Sequence, residues 1–145
     1  MFSPIKSQIS LPFDDGIVPR KERILESDIF VDRGSKYGYG FTQVQGKEDI
    51  KTFLKYIRST KSFDTADHCS YAFRILSSEG ILVEGKGDDG ETGAGQCILR
   101  ELKRRNIEQV ILVVSRHFGG VYLQTDRYKN VVNVAKMGIE RIINK

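Results

Sequence analysis

Long apolar runs are missing from this 145-residue chain. None approaches the roughly 18–20 residues that cross a bilayer, so no membrane-spanning helix is expected. Cysteine is scarce, with Cys69 and Cys97 the two present and no C-x-x-C. That excludes a disulfide framework and a dithiol redox motif, and it suits a reducing, cytoplasmic compartment. Proline is confined to Pro4, Pro12 and Pro19. Those positions mark residues 1–22 as an N-terminal arm whose Ile5, Ile9, Leu11 and Phe13 can lie against a domain spanning 23–145. The first residues also lack the basic-then-apolar order of a secretory signal, and Asp14 and Asp15 argue against a transit peptide. Neither sign of charge dominates: 23 Lys and Arg oppose 19 Asp and Glu, for a formal +4. A balance that mild permits contact with nucleic acid without demanding it.

What the chain does have is enough apolar material for one core, with 39% hydrophobic residues and 10% aromatics. At this length a single domain buries roughly two thirds of its unfolded surface. Strands are expected over Ile24–Val31 and Tyr37–Val44, joined through Arg33–Lys36. Gly38 and Gly40 alternate with aromatics in the second, the mark of a bulge or a close backbone approach. Ile50, Phe53, Leu54 and Ile57 recur at helical spacing. Cys69, Tyr71, Phe73 and Ile75 alternate with period two, and a turn at Ser77–Gly80 leads to a partner strand at Ile81–Val83. A helix is expected from Ala94 to Arg105, with Asn106 as its stop. Val110–Val114 is continuously apolar, as in a central strand buried on both faces. A last helix runs from Asp126 to Ile143. The expected fold class is α/β of the α+β kind: a two-layer mixed sheet with helices on one face around a single core.

Two loops attract chemistry. Asp88–Gly95 (DDGETGAG) opens a helix, where several N–H groups can cradle an anion. It lacks the Gly-Lys-Ser/Thr of a P-loop, and its carboxylates, with Thr92 as cap, equally suit a structural turn. Ser115–Gly120 (SRHFGG) leaves the central strand, where Arg116 can hold a phosphate and Phe118 can stack on a base. There the alternative is that Phe118 fills the core and the glycines turn the chain. Basic residues cluster at Arg100–Arg105, at Arg116, and at Arg127, Lys129 and Lys136, either as solvated faces or as one phosphate-binding surface with Tyr122 and Tyr128 interleaved. His68, Cys69, Cys97 and His117 are zinc-ligand types, but adjacent strand residues point to opposite faces, so no metal is expected. No nucleophile motif surrounds Cys97, and no cofactor is implied.

Three ordered blocks carry a resemblance. Asp64–Arg74 (DTADHCSYAFR), Asp88–Gly95 and Val113–Leu123 (VVSRHFGGVYL) resemble the IMPACT family, whose bacterial branch includes YigZ. Thr125–Ala135 (TDRYKNVVNVA) resembles the eukaryotic branch. The resemblance implies a fold similar to domain four of elongation factor G and a non-enzymatic role around translation. It implies RNA or ribosome contacts, or a protein partner in translation control within a stress-responsive kinase pathway, and it also points to actin. Relative to the family, this sequence has no room for an N-terminal RWD domain, and Gln124 stands where glycine is common. The binding surface the resemblance implies comprises Asp89, Glu91, Arg116, Gly119, Gly120, Asp126 and Arg127, and His117 and Lys129 beside them complete the candidate binding residues. A protein-interaction domain without RNA affinity, and an enzyme using the Glu91 and His117 region, are the alternatives.

Overall fold

The computed structural model describes residues 22–144; of the expected arm, residues 1–21 lie outside the described residues. The organising element is the strand Val110–His117. Its residues from Val110 to Arg116 are all buried, because apolar side chains leave it in both directions and neither face can be left to water. In chain order the elements are β1 (Arg23–Asp32), β2 (Ser35–Gln43), α1 (Lys47–Ile57), β3 (His68–Leu76), β4 (Leu82–Gly87), α2 (Ala94–Arg104), β5 (Val110–His117) and α3 (Asp126–Asn144). The sheet order is β1-β2-β5-β3-β4, and every pairing is antiparallel.

The α+β class expected from the sequence is the one adopted. Three details differ from expectation, and period-two alternation in β5 explains two of them. Leu112 and Val114 belong to one apolar cluster, with Ile98 and Leu102 of α2 and Val131, Ala135 and Ile139 of α3. Ile111 and Val113 belong to another, with Ile50, Phe53 and Ile57 of α1 and with Phe63 and Ala66 beyond it. The expected single core is therefore two, one on each side of the sheet. The expected helical face is that of α2 and α3, while α1 covers part of the opposite face. The third difference is that the sheet is wholly antiparallel rather than mixed, since β5 enters between β2 and β3 pointing against both.

Local chemistry fixes the connections. Arg33 and Gly34 turn β1 into β2 with φ of 46° and 90°, the doubly left-handed two-residue turn that matches strand twist. The register of β1 slips between Glu26 and Phe30, opposite Gly38. A Cβ on Gly38 would stand 2.5 Å from the Glu26 carbonyl oxygen, so the bulge read from the glycines lies in the neighbouring strand. Asn106 ends α2 with φ of 53° while the Ile107 amide reaches back to the Leu102 carbonyl at 2.9 Å, a left-handed cap. At the start of β5, Glu22, Val110 and Ile142 line one shallow pocket, so the first described residue and the end of α3 are neighbours. No helix among the described residues is long and apolar enough to cross a membrane.

Candidate binding site at the end of the sheet

The three sequence blocks converge where β5 ends. The Asp67 amide donates to the Arg116 carbonyl at 2.9 Å, and the Asp67 carboxylate accepts from the Phe118 amide at 2.6 Å. His68 Nδ1 lies 2.9 Å from the Asp89 carbonyl oxygen, and the Ser70 hydroxyl donates to the Asp88 carbonyl at 2.8 Å. The Gly-rich segment is thus tied to β3, and β3 to the segment that leaves β5.

The anion cradle expected at Asp88–Gly95 is filled by the chain itself. Asp88 accepts from the Gly93 and Gly95 amides at 3.0 and 2.8 Å, and these bonds hold its carboxyl below the usual carboxylate range. The start of α2 is capped from upstream by Asp88, while Thr92 is exposed and Gly93 at the cap position makes no side-chain cap. The structural reading of this loop is the one realised.

Arg116 is likewise committed. Its Nη1 donates to Glu91 Oε2 at 2.5 Å, and the two side chains are only 7% and 3% exposed. Its Nη2 lies 3.4 Å from the Ser35 hydroxyl, and the guanidinium sits between the Tyr37 and Phe118 rings at 5.8 and 5.9 Å. His117, one residue on, leaves the opposite face of the strand. There its Nε2 lies 3.2 Å from the Thr65 hydroxyl, beside Lys36 and Lys61. Glu91 and His117 are therefore on opposite sides of the sheet and do not converge.

Of the other residues singled out in the sequence, Asp89 is held by Arg58 at 2.6 Å and by the Cys69 amide at 2.8 Å. Asp126 pairs with Arg33 at 2.6 Å. Arg33 also grips Asp32, whose carboxyl falls to about 2 through bonds from Arg33 and Asn130. Gly119 packs on the Gly34 backbone, where a Cβ would overlap main-chain atoms. Gly120 opens onto free space with φ of 92°. Gln124 adopts φ of 56°, the left-handed conformation that a glycine takes without strain. Arg127 stacks on the Tyr128 ring at 4.8 Å and donates to its hydroxyl at 2.8 Å, and Lys129 is exposed. Both cysteines are free and buried, and burial pushes the Cys69 thiol up to about 11. No group of three or more metal-ligating side chains forms among the described residues.

Three residues essential to this geometry escaped the sequence reading. Arg58 follows the last turn of α1 and donates to the Phe63 and Ala66 carbonyls, both at 2.9 Å. Ser35 bonds Arg116 and the Gly119 amide. Asp67 joins β3 to the segment that leaves β5 through its amide and its carboxylate. Its place in the first block was the available signal, whereas nothing local distinguishes Arg58 or Ser35.

What remains open is a cavity of about 470 Å³ bounded by Asp67, His68, Glu91, Arg116, Phe118, Tyr122 and Arg127. The Impact N-terminal domain profile matches residues 33–139. The chain belongs to this family. Its sequence is 32% identical over 114 residues to the IMPACT homolog of Schizosaccharomyces pombe, covering 79% of this chain and 41% of that protein. It is 34% identical over 106 residues to Protein IMPACT of Oryctolagus cuniculus, covering 72% and 33%. The chain thus spans about two fifths or less of these relatives. Among solved structures, the two-domain translational regulator Yih1 superposes with a TM-score of 0.58 at 26% identity, over 96% of this chain and 54% of that one. A crystal structure of a hypothetical protein superposes with a TM-score of 0.65 at 20% identity, over 85% and 57%, and shows the shared fold.

Proposed function

We propose that this Impact-family chain is a non-enzymatic, cytoplasmic regulator of translation that works by binding RNA or the ribosome through the surface around Arg127 and Lys129. Family membership and the likeness to a translational regulator support the first half. The second half rests on one observation about charge. Arg33, Arg58, Arg104, Arg105 and Arg141 each stand against a carboxylate, whereas Arg127 and Lys129 have no ion-pair partner among the described residues. The α2 cluster is largely neutralised in this way, Arg100 apart. Of the remaining cations among the described residues, Arg127 is the one that both lacks an ion pair and lines the cavity where the three blocks converge, with Lys129 beside it on α3. Unpaired cations at a surface gain by displacing counterions from a phosphate backbone.

Co-sedimentation of the chain with ribosomes across a salt series tests this. Binding that weakens steeply with salt is expected, and Arg127→Gln with Lys129→Gln should reduce the log–log slope by about 1.5, near 0.7–0.9 per phosphate contact. The unfolding midpoint serves as the control for an intact fold. Absence of ribosome or RNA binding, or an unchanged slope in the double variant, refutes the assignment. A protein partner captured equally at low and high salt favours instead the interaction reading, in a kinase pathway or with actin.

A further inference from the structure

Beside the cationic rim, the cavity presents an aromatic pair that the fold leaves uncovered. Phe118 and Tyr122 are 42% and 79% exposed, with ring centroids 5.2 Å apart and planes tilted by 40°. Exposed aromatics at the mouth of a pocket are costly to leave in water and gain most from a flat partner.

The hydrogen-bond inventory of the walls is one-sided. The Nε atoms of Arg116 and Arg127 are buried with no acceptor. One oxygen of each nearby carboxylate is already engaged, Asp67 Oδ2 by the Phe118 amide and Glu91 Oε2 by Arg116. An occupant rich in acceptors matches such walls. Two arginines facing two carboxylates nevertheless leave the interior close to neutral, a poor well for a free anion. Net positive charge is added at the mouth by Lys129, exposed two residues beyond Arg127 on the first turn of α3. The occupant therefore has a flat apolar face, several acceptors, and a negative group set apart from that face. At about 470 Å³ the cavity holds one ring system and its sugar, not a helix of stacked pairs.

We propose that this cavity takes one unpaired nucleotide of an RNA strand, its base stacked on Phe118 and Tyr122 and its phosphate at Arg127. The inference rests on the RNA-binding reading above and specifies its ligand. In a duplex the base faces are covered by neighbouring pairs, so single strands enter and duplexes do not. Stacking of this kind tolerates any base, because each offers a π face.

Fluorescence anisotropy titrations with a labelled single-stranded RNA octamer and with the duplex of the same sequence test the proposal. Single strand should bind at least about tenfold more tightly than duplex. Tyr122→Ala should weaken the single strand by about tenfold and leave the duplex unchanged, since one stacked base is worth that order. Tyr122→Phe should restore the single-strand affinity, and inorganic phosphate should not compete beyond its contribution to ionic strength. Tyr122 is too exposed for either change to threaten folding. Equal binding of the two RNAs, or a Tyr122→Ala variant that binds like wild type while Lys129→Gln still weakens both, overturns the base pocket and leaves the RNA reading standing. No titration with either RNA overturns both, and is the result a purely protein partner would give.

Discussion

Replacing Glu91 by Leu should destabilise the chain severely, and replacing Arg116 as well should restore most of the loss. The side chains are 3% and 7% exposed and meet at 2.5 Å, so each neutralises a charge that has almost no water. Removing either partner leaves the other buried and unpaired, at about 3–5 kcal/mol. Replacing both with apolar residues of similar size, Glu91→Leu with Arg116→Met, removes the two desolvation penalties together and comes out near neutral in comparable cases. The Ser35 contact is lost too, at about 1 kcal/mol. Two single losses totalling about 6–10 kcal/mol against a far smaller double loss give a coupling of at least about 3 kcal/mol. Total stability is on the order of 5–15 kcal/mol, so the single variants approach the limit of folding and the double does not. Urea unfolding followed by far-UV circular dichroism reads all four corners of the cycle, with equal m-values as the check on compactness. Additive effects, agreeing within about 0.5 kcal/mol, would refute the claim that this pair is a closed buried unit.

Asp88→Ala should cost about 0.5–2 kcal/mol by uncapping α2. Because the folded carboxyl lies below its ordinary value, that contribution is complete above about pH 4 and disappears as pH falls through the native value. Acid titration of stability should therefore be steeper in wild type than in the variant, and identical curves would sink the cap. Ile111→Ala, at a fully buried position on the α1 side of β5, should lower stability by about 2–5 kcal/mol in the same urea assay. A midpoint equal to wild type would mean that the strand is not central.

Most of the fold was legible because period and punctuation agreed. The alternation from Cys69 to Ile75, the helical spacing of Ile50, Phe53 and Ile57, and the left-handed stop at Asn106 each had one reading. The unbroken apolar run of β5 already implied cover on both faces, and the expectation of one helical layer neglected it. Site residues were less legible, for a geometric reason. Arg116 and His117 are adjacent in sequence and share a motif, yet strand pleating sends them to opposite faces. The Arg58 contact with Asp89 spans two elements whose placement no local pattern encodes. Tyr122 read as one aromatic among basic residues, and its pairing with Phe118 depends on the turn between them.

The neighbourhood of Glu22 and Ile142 at the start of β5 makes the domain a plug-in unit. The cavity lies at the other pole, past eight strand residues, or about 25 Å away at 3.3 Å per residue. A tether or fusion joined directly at residue 22 or residue 144 therefore leaves from the pole opposite the cavity mouth. The same closeness suits circular permutation: a short linker can join residue 144 to residue 22, and the exposed Ser77–Gly80 turn can supply new ends without cutting any of the three convergent blocks.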